Sequence, residues 1–218
     1  MSINEIILSD DGMQCTEADK SELDAIVNIH LGSLPNDVFA SMGFRFLKEF
    51  YENCLHCDER YLIVAKEGDI VVGFCLFMYA TDSIVNIIPA RGYFSVGRLL
   101  FVKPKVFISA VLQFLRLSSI KSSQSAEISF IAVDPGFQGK GRGKQLVSHA
   151  TDMCRIRGLA AMHTKTSNQR FAQFYRREFN AREIESFNIL GSKYSVLEWS
   201  CGKCSKNPTT SDIDWNRH

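Results

Sequence analysis

The chain lacks a charge imbalance: 25 Lys and Arg against 24 Asp and Glu leave a formal net charge of +1 over 218 residues. No global field draws it to a polyanion, so composition argues against nucleic acid as a partner. It lacks any uninterrupted apolar run of the roughly 18 residues that a membrane-crossing helix needs. Residues 1–12 lack the basic cluster of a secretory leader and carry Glu5, Asp10 and Asp11 instead. Low-complexity tracts and internal repeats are missing as well. The sharpest absence is local. Residues 83–126 hold no Asp or Glu, yet they carry Arg91, Arg98, Lys103, Lys105, Arg116 and Lys121 among many apolar side chains.

What is there reads as one globular domain with an insertion. Hydrophobic residues make up 45% and charged residues 22% of the chain, ordinary for a folded protein. A chain of this length buries roughly 70% of its unfolded surface and needs no covalent staple. Seven cysteines form an odd set, and Cys75 and Cys154 fall in apolar patterns. Free thiols in a reducing, cytoplasmic setting are expected. Cys54/Cys57 and Cys201/Cys204 form two C-x-x-C pairs, but they stand far apart in sequence, unlike a compact zinc finger, and no metal site is assigned.

The organising stretch is Glu127 to Lys144. An apolar run (Ile128, Phe130 to Val133) predicts a strand and ends at Asp134-Pro135-Gly136, a turn signal. Glycines follow at 139, 141 and 143, and then Leu146, Val147, Ala150, Met153, Cys154 and Ile156 recur with helical spacing. A strand that passes through glycines into a helix presents unpaired amides at the helix's positive end, an anion site suited to a diphosphate. A nucleotide-kinase loop would need Lys-Ser/Thr where Arg142-Gly143 stands, and a dinucleotide fingerprint would need glycine at Lys144.

Elsewhere, Cys15–Lys20 predicts a first strand. Ser21 is the expected cap of a helix through Leu23, Ile26, Val27, His30 and Leu34, which Pro35-Asn36 ends. A second helix is expected from 37 or 38 to about Cys54, burying Phe39, Met42, Phe46 and Phe50. Tyr61–Ala65 and Ile70–Tyr79 predict a hairpin. Ser118–Ser125 reads as a link. Beyond the central helix, which Gly158 stops, Ala160–Lys165 predicts a strand. Asn168–Arg177 predicts a helix with Phe171, Phe174 and Tyr175 inward. Arg182–Ile189 and Lys193–Ser200 predict a closing hairpin, and 201–218 a polar tail. Alternating elements of this kind imply a three-layer α/β domain around a mixed sheet.

Gln138-Gly139-Lys140-Gly141-Arg142-Gly143 resembles the acyl-CoA loop of the GNAT acyltransferase superfamily, Gln/Arg-x-x-Gly-x-Gly/Ala, and Ala132-Val133-Asp134-Pro135 before it is family-like. The element order is similar from about residue 13 to 200, with 83–126 as an extra. The resemblance implies an acetyl-CoA-dependent N-acetyltransferase. Its loop, Gln138, Gly139, Lys140, Gly141, Arg142, Gly143 and Lys144, would hold the cofactor's diphosphate, the three basic side chains adding charge. Backbone groups of Ile131, Ala132 and Val133 would pair with the pantetheine arm. Asn168 and Tyr175 match an asparagine and tyrosine seven residues apart in the family's later helix. Asn168 would orient the arm, and Tyr175 would protonate the departing thiolate. Glu127 matches a glutamate that deprotonates the acceptor amine in several relatives, and partial burial is expected to raise its pKa. His30 and His163 are further candidates, read as structural. One departure is Phe179-Asn180 where the family usually carries Gly-Phe. The acceptor is expected to be a small-molecule amine, such as a nucleotide-linked amino sugar, since the second helix loosely resembles relatives tied to surface-polysaccharide synthesis. A protein or peptide amine is the alternative. Residues 83–126 are a candidate membrane-surface element, a candidate homodimer contact, or a flap on the protein's own core.

Overall fold

The computed structural model describes residues 7–8, 13–55, 57, 59–79, 84–89, 108, 125–189 and 191–202. Eight strands form one sheet: β1 Ile7–Leu8, β2 Met13–Glu17, β3 Arg60–Glu67, β4 Ile70–Tyr79, β5 Ser125–Val133, β6 Ala161–Thr166, β7 Arg182–Ile189 and β8 Ser192–Ser200. Among the described residues, the α-helices that cover it are α1 Leu23–Ser33, α2 Phe44–Glu52, α3 Arg142–Ile156 and α4 Gln169–Phe179. The strand order is β1-β2-β3-β4-β5-β6-β8-β7. β5 and β6 run parallel, joined by the crossover through α3, and the other described pairs are antiparallel. This is the mixed, three-layer sheet that the alternating elements predict.

Each face of the sheet has its own core. On one face Cys75, Phe77, Ala126, Ile128, Met162, Leu197 and Trp199 pack under Leu146, Val147, Ala150 and Cys154 of α3 and Ala172 and Tyr175 of α4. On the other, Val64, Phe74 and Leu76 pack under Leu23, Ile26 and Val27 of α1 and Phe46, Leu47, Phe50 and Tyr51 of α2. Apolar area buried on both faces of the sheet stabilises the fold at about 25 cal/mol per Å² removed from water.

Several local expectations change. Ile7–Leu8 pairs with Gln14 and Cys15, so residues 1–12 are not wholly a polar lead. Asp19, not Ser21, caps the first helical segment: it accepts from the Ser21 amide at 2.6 Å, while Glu22 accepts from the Asp19 amide at 2.9 Å. The expected continuous second helix is interrupted. A 3₁₀ turn at Ala40–Met42 ends at Gly43, whose φ of 87° no helix admits, and α2 starts after it. Ile156 and Phe171 are 48% and 47% exposed; the buried stripe of α4 runs through Ala172, Tyr175 and Phe179, and Phe171 lies about 100° of helical turn outside it. Ser125 opens β5 rather than closing a link. Ile87, at the start of the acid-free stretch, is fully buried in the α1/α2 core. The rest of that stretch, apart from 84–89, 108 and 125–126, lies outside the described residues, as do His56 and positions 203–218. No helix among the described residues is long and apolar enough to cross a membrane.

Candidate active site

β5 changes its surroundings halfway along. Phe77 pairs with Ile128 and the adjacent Leu76 with Phe130, so Ser129 is the extra residue of a β-bulge. The parallel ladder to β6 ends at the same place, with Ile128 opposite Thr164, although β5 continues to Val133 and β6 to Thr166. Among the described residues, β5 past the bulge therefore has a strand partner on its β4 side alone. The Asp134 amide donates to the Val72 carbonyl at 2.9 Å. Alternation along an antiparallel ladder then turns the peptide groups of Ala132 towards β4 and those of Ile131 and Val133 towards the parted edge. Of the three residues proposed to meet the pantetheine arm, two thus present backbone groups there. Sequence reasoning missed that the Val133 carbonyl is already served: Ser33 Oγ donates to it at 2.9 Å and Gln138 Nε2 at 3.0 Å. No residue type at those positions announces such a long-range contact.

The chain leaves this edge through a short 3₁₀ turn, Pro135–Phe137, held by the Asp134 carboxylate accepting from the Gly136 amide at 2.8 Å. Gly139 and Gly141 then take φ of 79° and 78°, and Gly141 caps α3 with no side-chain bond. Positive φ is where glycine is needed, and a Cβ at either position would meet nothing within 4 Å. Both are exposed. Among the described residues, the amides of Gly139, Gly141, Gly143 and Lys144 donate to no protein acceptor, so the loop offers an open ring of N–H donors at a helix's positive end.

The three basic side chains differ. Arg142 is buried and committed to the fold, with Nε 2.7 Å and Nη2 2.6 Å from Glu67 on β3 and Nη1 3.2 Å from Gln145. Its charge is spent on Glu67, contrary to the expectation that it faces phosphates. Lys144 pairs with Glu178 of α4 at 2.8 Å. Lys140 lies over the Phe137 ring, 5.1 Å from its centroid. Among the described residues it meets no carboxylate, which leaves it the basic side chain available to an anion.

Asn168 caps α4, its side-chain oxygen accepting from the Arg170 amide at 2.9 Å. Tyr175 points into the core, 2% exposed and stacked on Trp199 at 5.2 Å. Burial pushes its phenol well up, against a hydrogen bond with Thr164 that lowers it. Thr164 Oγ1 in turn donates to the Ile128 carbonyl at 3.1 Å, the last residue of β5 before the bulge. Tyr175 therefore sits in the α3/α4 core, and Thr164, which acts on its phenol, stands at the last rung before β5 and β6 separate. Asn180 takes the left-handed φ of 52° that closes α4, so asparagine serves as the C-terminal residue in a conformation it tolerates well.

Glu127 lies on the opposite face, with Ala126 and Ile128 directed to the α3/α4 core. His163 is its partner in the β5/β6 register, and Lys165 follows on the same side of β6. Lys165 Nζ sits 2.6 Å from Glu127 Oε1 and His163 Nε2 3.6 Å from Oε2. Burial pushes the Glu127 carboxyl up, but the Lys165 charge and the bonds from both partners outweigh it and hold its pKa at about 2. The expected upward shift is thus reversed. His30 is fully buried, bonding Tyr51 at 2.6 Å and Asp37 at 3.3 Å, and it ties the α1–α2 connection to the core. No group of three or more metal-ligating side chains occurs among the described residues.

A sequence profile of the acetyltransferase (GNAT) family matches residues 23–180. Comparison with curated proteins returns no match. Among solved structures, the chain resembles the ribosomal-protein-S18-alanine N-acetyltransferase of Escherichia coli at 13% identity and TM-score 0.57, covering 89% of this chain and 97% of that one. It resembles yncA of Salmonella typhimurium, determined with its cofactor acetyl-CoA, at 16% identity and TM-score 0.59 over 89% and 97% of the chains. A chimera of the Vibrio cholerae spermidine N-acetyltransferase SpeG and hSSAT matches at 14% identity and TM-score 0.59 over 87% and 96%. Similarities at this level establish the fold, and the profile covers well over half of the sequence. The chain belongs to the acetyltransferase (GNAT) family.

Proposed function

We propose that this acetyltransferase transfers the acetyl group of acetyl-CoA to the amine of a small molecule by direct attack within a ternary complex, using a domain that spans residues 13–200. The observation that carries the proposal is the set of amides at Gly139, Gly141, Gly143 and Lys144, unbonded among the described residues, beside the parted edge of β5. Amide donors at a helix start suit a diphosphate, and Lys140 adds a mobile positive charge. The outward peptide groups of Ile131 and Val133 suit a chain that itself carries amides. Bound acetyl-CoA would supply the acetyl group as a thioester. Tyr175 holds a proton beside Thr164, and Glu127 holds a negative charge on the other face.

Direct transfer, rather than relay through a protein thiol, is favoured by Cys75 and Cys154; Cys201, whose thiol is lowered by its bond with Cys154, follows Ser200 at the end of β8, away from the parted edge. Burial pushes the thiols of Cys75 and Cys154 well up, and Cys154 is raised first by its bond with Cys201. Neither is a poised nucleophile. The described cysteines are free thiols, in keeping with a reducing cytoplasm. The basic character of 83–126 favours an anionic acceptor such as a nucleotide-linked amino sugar, with a protein or peptide amine as the competing class.

Calorimetry tests the core of this reading. The wild-type chain should bind coenzyme A, and Gly141→Glu should lose binding by at least about 100-fold, because a carboxylate would stand against the phosphates. Its circular dichroism should stay close to wild type, since a Cβ there meets no protein atom and the left-handed φ of 78° adds a local strain of about 1–2 kcal/mol. A wild-type protein that binds no coenzyme A ends the proposal.

A further inference from the structure

A primary amine belonging to the protein already bonds the carboxylate proposed as the acceptor's base. Lys165 is the first residue of β6 beyond the last rung shared with β5. Its Nζ lies 2.6 Å from Glu127 Oε1, and its side chain is 28% exposed. Lysine's four-carbon stem lets the head swing while the strand stays fixed. Lys140 and Lys144 sit on the anion loop, one over Phe137 and the other bonded to Glu178. Lys165, by contrast, stands at the mouth formed where the two parallel strands part.

From this juxtaposition we propose that Lys165 is a self-acetylation site, modified by the acetyl-CoA bound to the same molecule. The inference rests on the acetyl-CoA reading above. The ammonium first gives a proton to water. The neutral Nζ then forms a C–N bond with the thioester carbonyl carbon and gives up its second proton to water, the C–S bond breaks, and the sulfur leaves with the electron pair and takes up a proton as coenzyme A thiol. The product is an N-acetyllysine amide, and no oxidant or further reactant is needed. Holding amine and thioester in one molecule replaces a bimolecular encounter with an effectively unimolecular one.

The modification has a consequence for Glu127. An acetylated Lys165 carries no charge, so the carboxylate loses its nearest cation and keeps only His163 beside it. Burial then acts on Glu127 with less opposition, and the carboxylate becomes a stronger base for an incoming ammonium. Lys165 therefore works as an internal plug that the enzyme's own chemistry removes.

The test uses the full-length protein, treated with a lysine deacetylase, freed of it, and incubated with acetyl-CoA. Intact mass and peptide mapping should show a single added acetyl group at Lys165. Its first-order rate constant should be unchanged over a tenfold range of protein concentration and should rise with pH, because the ammonium must lose a proton. Lys165→Arg keeps the ion pair and should remain unlabelled. Gly141→Glu should remain unlabelled too, as it cannot hold the donor. In amine-acceptor assays, Lys165→Gln should move the acidic limb of kcat/KM to higher pH relative to Lys165→Arg. Label at Lys165 that persists in Gly141→Glu is solution chemistry and overturns the proposal. Coenzyme A binding by calorimetry with no label at Lys165 overturns it alone, whereas absence of binding removes it together with the acetyl-CoA reading.

Discussion

At the scale of single residues, Tyr175 and Glu127 hold their protons in opposite ways. Tyr175 is a buried phenol whose proton is retained far above neutrality, with an aromatic bed of Trp199 and Phe179 that does not depend on the hydroxyl. Tyr175→Phe keeps that bed, and Thr164 keeps its bond to Ile128. Stability should change little, while kcat falls by about 100-fold or more if the phenol is the proton donor. Steady-state kinetics with coenzyme A calorimetry in parallel separates loss of chemistry from loss of binding. Glu127 has a folded-state pKa of about 2, against 4.5 for the free side chain. The folded protein therefore binds fewer protons there than the unfolded chain does. The stability that Glu127 contributes is fully present above about pH 5 and drains away as pH falls through the window down to about 2. Urea midpoints of wild type and Glu127→Gln should differ by a constant amount at neutral pH and converge across that acid window. Both residues were singled out through the family resemblance, Tyr175 by its seven-residue spacing from Asn168, but the sign of the Glu127 shift was not legible. It depends on Lys165 and His163, which reach Glu127 only through a strand pairing between residues remote in sequence.

At the scale of elements, the site is a junction of β4, β5 and α3, and its tolerance is narrow on the inner side. Gly73 of β4 lies opposite Val133. A Cβ there would sit 3.0 Å from the Ala132 carbonyl oxygen, 3.1 Å from Leu146 Cδ1 and 3.3 Å from Val133 Cγ2. The carbonyl belongs to a paired ladder and α3 is packed on the sheet, so neither neighbour yields cheaply. Gly73→Ala should cost about 1–3 kcal/mol, read as a fall in Tm of roughly 2–4 °C per kcal/mol. Element type and order were readable because apolar period changes from two to 3.6 wherever strand gives way to helix. Ends were less readable. Gly43 was hidden inside a pattern that looks helical on both sides, and the capping role fell to Asp19 because its carboxylate, unlike the Ser21 hydroxyl, is placed to accept from the next turn's amides. The bulge at Ser129 carries no compositional mark at all, since it is a matter of register between β4 and β5.

At the scale of the whole molecule, the sheet is completed on one flank of β5 and interrupted on the other. Antiparallel pairing carries the β1–β5 half through to Val133, while the β6–β8–β7 half meets it only from Ser125 to Ile128. The two halves are thus joined by a short parallel seam and by the helices across it. A ligand bearing alternate amide donors and acceptors would act as a stand-in strand for the inner margin of β5, zipping the halves over the length where the seam is open. Hydrogen–deuterium exchange should register this as slowed exchange at the Ile131 and Val133 amides when coenzyme A is added, with the Ala132 amide, already engaged with β4, far less affected. Seen this way, substrate is also mortar: the enzyme is sturdiest when it is ready to react.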